Sequence, residues 1–286
     1  MTTKSEIQSL LFLLEDPDPF VKEQVEQRFY SLGEHAVPLI DECRLEAKET
    51  NSRQVADNML LQLTFPALYS DFYELYEEGI TDFAQLERAL FFLARFGNPT
   101  LRTSVYKQQL DVMAKQLSHD ITYAIDNVEQ MNILLHYVFE KEGFHGTKED
   151  LFKADSSYMH KVLETKKGIP LSLSMIVLAL AHRLELPFFG VNMPMHFVLL
   201  FENNTEVIYI DPFQGGKFLS RKELDTFLLM NNVDPNPTYY KKAGNAMMLI
   251  RTMRNLHYSY EQDKDTIRAE KLKLLINLHE KFYPDM

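Results

Sequence analysis

The 286-residue chain is poor in cysteine, and Cys43 is the only one. A single thiol excludes an internal disulfide and a metal site built from several thiolates. A chain without disulfides suits a reducing compartment, so we predict a cytoplasmic protein. Histidine does not supply a metal site either, because close ligand spacing is lacking among His145, His160, His182 and His196. We therefore expect neither a metal nor a cofactor.

Long apolar stretches and basic charge are also scarce. No run approaches the roughly 20 apolar residues of a membrane-spanning helix. The amino-terminal stretch lacks a basic leader and a small-residue cleavage site, so no secretory signal is predicted. Asp and Glu number 41 against 30 Lys and Arg, which gives a formal net charge of −11. This surplus disfavours phosphate backbones and anionic membranes. We expect no nucleic-acid or membrane partner.

Residues 1–98 carry apolar residues at helical spacing throughout. The Asp-Pro repeat at 16–19 interrupts this pattern, Gly33 ends the next helix, and Val37 opens a third. Further helices are predicted over residues 52–64, 67–78 and 83–96. The order of helix, Asp-Pro turn, helix, glycine and helix resembles a HEAT-type repeat. Only one copy is present and a solenoid needs about three, so a small irregular bundle is the alternative.

The character of the sequence changes after Gly168. Residues 171–184 are too many for an ordinary strand and too uniformly apolar for a surface helix, so we predict a buried helix that Pro170 opens. Three short segments of strand composition follow, at 188–192, 196–201 and 206–211. The polar residues between the last two are typical of a hairpin turn. Two further helices over about 243–282 are predicted to form a helical hairpin.

The β-hairpin predicts a contact between His196 and Asp211. If Phe201 faces Glu206 across the turn, the same register places His196 opposite Asp211, with Cβ atoms ~4.5–5.5 Å apart. The pair would lie beside the amino end of the buried helix. Cysteine-dependent acyl transfer uses this arrangement, because the base takes the thiol proton and the helix dipole favours the thiolate. A slip of one residue in the register would separate the pair.

These motifs resemble the transglutaminase-like superfamily. The sharpest similarity lies within residues 166–216, in GIPLSLSMIVLALAHRLELPFFGVNMPMHFVLLF and VIYIDPFQGG, and the likeness to the SirB-type branch covers about 85–280. The superfamily opens its helix with Gly-x-Cys, and the histidine and aspartate follow on strands. His196 and Asp211 match this pattern, but Pro170 stands at the cysteine position. The resemblance to the SirB-type branch implies no established reaction.

Ser172 is a candidate for a nucleophile in place of the missing cysteine. It lies two residues beyond Pro170, which turns it about 200° around the helix. Serine also needs stronger activation than a thiol. The alternative is a helix-capping or core-facing hydroxyl. His196 and Asp211 can likewise serve as a structural hydrogen bond that pins the hairpin.

The sequence as a whole predicts a mostly helical α+β protein. Its predicted parts are a HEAT-like helical region at 1–98, a degenerate transglutaminase-like core with a small antiparallel sheet at 99–242, and a tetratricopeptide-type helical hairpin at 243–286.

The predicted function is non-catalytic binding of a protein or peptide in a cleft beside His196. In this case Met193 and Met195 should pack over the imidazole. One alternative is a hydrolase or acyltransferase that uses Ser172 or a His196-activated water and needs an open pocket. Another alternative is a helical scaffold that binds partners along its amino-terminal repeat.

Overall fold

A computed structural model describes residues 2–284, which form a helix-rich α+β fold. Within this range the helices are α1 Lys4–Leu13, α2 Pro19–Leu32, α3 Val37–Glu46, α4 Thr50–Glu78, α5 Phe83–Gly97, α6 Thr103–Tyr123, α7 Asn127–His136, α8 Met159–Thr165, α9 Pro170–Arg183, α10 Arg221–Met230, α11 Asn245–Gln262 and α12 Thr266–Phe282. The strands are β1 His145–Gly146, β2 Lys167–Gly168, β3 Phe188–Val191, β4 Val198–Glu202, β5 Val207–Asp211 and β6 Lys217–Leu219. None of the helices described combines the length and the apolar character that crossing a membrane requires.

The chain divides into two compact units. The first comprises the residues up to Glu74 together with Ala94–Arg102, and the second comprises Leu75–Leu93 and the chain from Thr103 onward. The division into regions 1–98, 99–242 and 243–286 stays a prediction.

The first unit begins with three helices whose ends follow local capping chemistry. Thr3 Oγ1 accepts a hydrogen bond from the Glu6 N–H (3.2 Å) at the start of α1, and Asp18 Oδ1 accepts one from the Phe20 N–H (2.9 Å) at the start of α2. Pro19 fits the first turn of α2 because no intrahelical partner is needed there. The predicted helices and the break at residues 16–19 are therefore confirmed.

The predicted separation of helices 52–64 and 67–78 is wrong, because α4 runs without interruption through Pro66. Proline removes one backbone hydrogen bond from a helix interior. The apolar stripe of α4 continues across it, however, with Leu61, Phe65, Leu68 and Phe72 all buried. Their spacing of four, three and four residues keeps one face against the core. Packing outweighs the lost bond.

Helix α9 is the central element of the second unit, and the prediction of a buried helix at this position is confirmed. Every residue from Leu171 to Ala181 is buried. The helix contacts α6, α8, β3 and β4, so its whole circumference is covered by protein. A helix with this environment can be apolar all round. Its amino end is thereby fixed in position.

A four-stranded antiparallel sheet in the order β3-β4-β5-β6 packs beside α9. The three predicted strands are present, but the predicted register between the last two is wrong. Phe201 pairs with Ile208 and Glu202 pairs with Val207, a shift of two residues from the expected alignment. Asn203 causes the shift, because its Oδ1 accepts hydrogen bonds from the Thr205 and Glu206 N–H groups (2.9 and 2.8 Å) and closes the turn one residue later.

The helices α11 and α12 form the predicted helical hairpin. Six apolar residues line their interface and are all buried: Leu249, Met253, Leu256, Leu272, Leu275 and Leu278. One face of α11 therefore packs against α12. The opposite face of α11 borders the site described next.

Candidate functional site

His196 lies in the connection between β3 and β4, two residues before β4 begins. Its backbone N–H donates to the Met193 carbonyl (3.3 Å), and its ring lies 5.2 Å from the ring of Phe227 on α10. Met195 precedes it with φ 62°, a left-handed conformation that is uncommon for a non-glycine residue. Such strain is concentrated at functional sites. The connection is therefore held in a shape that presents His196.

Asp211 ends β5, and its carboxylate is almost fully enclosed. Oδ1 accepts hydrogen bonds from the backbone N–H groups of Phe213 (2.9 Å) and Gln214 (3.3 Å), and Oδ2 accepts one from Gln214 Nε2 (2.8 Å). Burial acts to raise the pKa of Asp211, but the hydrogen bonds from His196, Gln214 and Phe213 outweigh it and lower the pKa below its ordinary value. Asp211 is a rigid, ionised carboxylate.

The structure brings His196 and Asp211 together. Nε2 of His196 lies 3.1 Å from Oδ2 of Asp211. The predicted strand pairing of these two residues was wrong, because Leu199 pairs with Ile210 and His196 lies just outside the paired residues of β4 and β5. A two-residue shift keeps each side chain on the same face of a sheet. The carboxylate therefore still faces the side from which the imidazole approaches.

His196 also lines a cleft of about 210 Å³ together with Pro170, the first residue of α9. The His196 side chain is 12% exposed there. Nε2 faces Asp211, and no partner for Nδ1 is found within residues 2–284. Met195, expected to pack over the imidazole, is instead 73% exposed at the cleft edge, so that expectation is wrong for Met195. The cysteine position of the resemblance is thus a proline beside an accessible imidazole.

Ser172 is not brought to His196. Its hydroxyl donates to the Ser156 carbonyl (2.6 Å) and accepts from the Ile169 N–H (3.0 Å). The side chain is buried, and no hydrogen bond to His196 is found in the part of the chain that the structure describes. Ser172 ties the start of α9 to the preceding loop, as a capping hydroxyl does.

Replacing Ser172 by alanine is expected to lower the free energy of unfolding by about 1–2 kcal/mol. The Ser156 carbonyl and the Ile169 N–H would lose the hydroxyl and keep only their longer hydrogen bond to each other (3.4 Å). Urea unfolding measures this loss. Ser174→Ala is the matched control: among the described residues its hydroxyl bonds only to the Pro170 carbonyl one turn earlier (2.8 Å), so the change in the free energy of unfolding should be near zero. Unchanged stability in Ser172→Ala would contradict the capping role.

Sequence reasoning missed the contribution of α11 to this cleft. Arg251, Asn255 and Ser259 recur every four residues on α11, and all three line the cleft with His196. Tyr258 lies beside them and is 46% exposed. The four-residue spacing of these polar residues, opposite the apolar stripe of α11, was the feature of the sequence that could have predicted this contribution. Within residues 2–284, no group of three His, Cys, Asp or Glu residues is arranged to hold a metal ion.

Comparison with known families agrees with this geometry. The sequence profile of the transglutaminase-like superfamily matches residues 104–254, which include α9, the sheet and most of α11. The chain therefore belongs to the transglutaminase-like superfamily.

Two kinds of protein are among the relatives that the chain matches. A UPF0162 protein of Xylella fastidiosa is 27% identical over 203 residues, which cover 65% of this chain and 70% of that protein. A UPF0162 protein of Haemophilus influenzae is 38% identical over 96 residues, or 34% of this chain and 36% of that protein. Human F-box only protein 21 is 30% identical over 173 residues, or 55% of this chain and 26% of that protein. No solved structure matches the chain significantly.

Proposed function

We propose that the chain is a non-catalytic binding module that holds a peptide segment of a protein partner in the cleft beside His196. The observation that carries this proposal is the rim of the cleft. Phe152, Met195 and Tyr258 line it and are 59%, 73% and 46% exposed, and the rings of Phe152 and Tyr258 are in edge contact with centroids 5.6 Å apart. Exposed aromatic and methionine side chains around a pocket are typical of protein interfaces.

The size of the cleft favours one side chain of a peptide over a drug-sized small molecule. Its volume of about 210 Å³ is below the roughly 300–1,000 Å³ typical of small-molecule sites. Such a volume accepts one side chain, and the exposed rim contacts the flanking backbone.

His196 supplies the polar contact. Because the Asp211 carboxylate faces Nε2, the neutral ring carries its proton on Nε2 and presents Nδ1 as an acceptor. A backbone N–H of the bound segment can donate to Nδ1. In a cysteine enzyme the same nitrogen would take the thiol proton. Here Pro170 offers no proton, so the dyad serves recognition.

The competing function is a hydrolase or acyltransferase. Ser172 is a poor candidate because its hydroxyl is committed to Ser156 and Ile169. A His196-activated water requires an open pocket, and the exposed Met195 leaves the imidazole accessible as this alternative requires, so the alternative predicts turnover. A screen of ester and amide substrates with wild type and His196→Ala tests it, since turnover that disappears in the variant would overturn the binding proposal.

The finer assignments belong to the same proposal. We assign the chain to the SirB-type branch, its amino-terminal helices to a HEAT-like region, α11 and α12 to a tetratricopeptide-type hairpin, and the protein to the cytoplasm. The relation to F-box only protein 21 supports a binding module, because the matched region is 26% of that protein and so forms one part of a longer chain.

A phage-displayed library of random decapeptides tests the proposal. Wild type should enrich defined sequences, and Phe152→Ala and His196→Ala should each weaken the selected peptides about tenfold or more, as central interface residues do. Phe20→Ala is the matched control, because Phe20 is 66% exposed but belongs to the first unit. Selected peptides that bind all variants equally would contradict the proposal.

A further inference from the structure

A second, larger groove adjoins the His196 cleft. Its volume is about 640 Å³, and it shares Met195 and Arg251 with that cleft. The shared residues make the two depressions adjacent, because both side chains line both of them. A segment bound beside His196 therefore passes over Arg251 when it leaves the cleft on this side.

The charge of this groove is opposite to that of the protein. Its charged lining residues, among those the structure describes, are all basic: Lys241, Lys242, Arg251 and Arg254. The chain as a whole has a formal net charge of −11. A concave surface lined by one sign of charge concentrates ligands of the opposite sign.

Arg251 is the unusual member of this set. Its Nη1 donates to the Met193 carbonyl (2.9 Å) and to Asn192 Oδ1, which are both neutral acceptors. No carboxylate partner for it is found within residues 2–284. Burial lowers the pKa of Arg251 to about 10. The guanidinium is thus enclosed without a neutralising charge, which is costly in the absence of a ligand.

Other enclosed arginines show the contrast. Arg183 contacts Glu87 at 2.6 Å, and Arg268 contacts Asp265 at 2.8 Å. Each of these guanidinium groups is neutralised inside the protein. The ring centre of Phe197 lies 5.6 Å from the Arg251 guanidinium. The two neutral acceptors of Arg251 both engage Nη1, so the N–H groups of Nε and Nη2 have no hydrogen-bond acceptor within residues 2–284.

The remaining basic residues differ in how much positive charge they leave. Lys242 contacts Glu202 and lies 3.6 Å from the centre of the Phe189 ring, and Arg254 contacts Glu280 at 3.2 Å. Both are partly neutralised at the edges of the groove. Lys241 is exposed and has no acidic partner among the described residues. Arg251 and Lys241 are therefore the two basic residues of the groove whose positive charge no described carboxylate neutralises.

We propose that this groove binds an acidic peptide segment, with a carboxylate of that segment paired to Arg251. The inference rests on the proposed peptide-binding function and names the class of peptide. Arginine presents two parallel N–H groups that match a carboxylate, and such pairs are strong hydrogen bonds. The peptide places an apolar residue in the cleft beside His196 and an Asp or Glu residue over Arg251.

The test uses the full-length protein and the decapeptides selected from the phage library. The selected sequences should be enriched in Asp or Glu, and replacing that residue by Asn or Gln should weaken binding about tenfold. Fluorescence anisotropy with Arg251→Gln should show a loss of about tenfold for the acidic peptide and less than twofold for its amide counterpart. Added salt should weaken only the acidic peptide.

Arg88→Gln is the matched control, because it removes the same charge from a partly exposed arginine paired with Glu78. It should leave the acidic peptide within twofold of wild type. Thermal unfolding checks that Arg251→Gln is folded. If it is not, the exposed Lys241→Gln replaces it, with an expected loss of about threefold. Arg251→Lys should bind better than Arg251→Gln, since it keeps the charge.

The outcomes separate the two proposals. In one outcome the selected peptides need His196, are not enriched in Asp or Glu, and bind Arg251→Gln as well as wild type. This outcome overturns the acidic-peptide inference and leaves the proposed peptide-binding cleft unaffected. Acidic peptides that depend on Arg251 and not on His196 support the groove and overturn the role of His196. Binding of inorganic phosphate or duplex DNA that needs Arg251, without binding of acidic peptides, overturns the acidic-peptide assignment.

Discussion

Lowering the pH from 7.5 to 5 is expected to reduce the free energy of unfolding by roughly 4 kcal/mol, because two histidines are enclosed as neutral rings. His160 is 1% exposed and His279 is 0% exposed. His160 packs against the rings of Tyr106 and Tyr158, and its Nδ1 is buried without a hydrogen-bond partner among residues 2–284.

His279 has a similar environment on α12. Its Nδ1 lies 3.1 Å from the hydroxyl of Tyr76, and its Nε2 is buried without a hydrogen-bond partner in the part of the chain that the structure describes. Burial lowers the pKa of His160 and that of His279 to about 4 each. A proton on either ring would be a buried charge without a carboxylate in contact.

The direction of the effect follows from proton uptake by the unfolded chain. An unfolded histidine has its ordinary pKa of 6.5, so between pH 6.5 and 4 the unfolded state binds protons that the folded state rejects. Stability is therefore complete above pH 6.5 and falls as the pH decreases toward 4. At pH 5 each histidine accounts for about 2 kcal/mol.

Urea unfolding of wild type at pH 7.5 and 5 measures the total loss. His279→Gln should lower stability at pH 7.5 and should halve the loss between the two pH values. His119→Gln is the matched control, because its side chain is 76% exposed, and it should leave the loss between the two pH values unchanged. A wild-type loss below about 1 kcal/mol, or an unaltered loss in His279→Gln, would show that the rings are not held neutral.

The sequence predicted those parts of the fold that depend on local composition. The unbroken apolar run after Pro170 predicted the buried helix α9, because only a covered helix tolerates apolar residues on every face. Strand composition predicted β3, β4 and β5. The register between β4 and β5 was missed, because it depends on Asn203 closing the turn through its side chain. The continuity of α4 was missed because Pro66 normally ends a helix.

The site was predictable to a similar extent. The resemblance identified His196, Asp211 and Pro170, because each of them occupies a defined position in the sequence pattern of the superfamily. Arg251 was missed because a single arginine on an amphipathic helix is normally a solvated charge. Its enclosure arises where the β3–β4 connection crosses α11, and the residues in contact there, Met193 and Arg251, are far apart in sequence. Composition and periodicity contain no information about such a crossing.

A cysteine placed at Pro170 is expected to be unusually reactive, because His196 and Asp211 are in contact as in a cysteine site. Pro170 is the first residue of α9 and lines the cleft with His196. A helix amino terminus and a neighbouring imidazole both lower a thiol pKa. A decrease from about 8.5 to about 6 raises the thiolate fraction at pH 6 by about 150-fold.

The gain in rate is smaller than the gain in thiolate. A thiolate of lower pKa is intrinsically less nucleophilic, which reduces the advantage to roughly tenfold at pH 6. Cys43 is 8% exposed in the core of the first unit, and Cys43→Ala removes its contribution. The Pro170→Cys variant is therefore made in that background.

The most direct measurement is the rate of iodoacetamide alkylation at pH 6 for Pro170→Cys, with and without His196→Ala, both in the Cys43→Ala background. The variant with His196 is expected to react faster than the one without it, by up to about tenfold because the helix amino terminus remains in both, and Asp211→Asn should lie between them. Equal, slow alkylation of all three variants would contradict the claim that an acyl-transfer dyad survives here without its nucleophile.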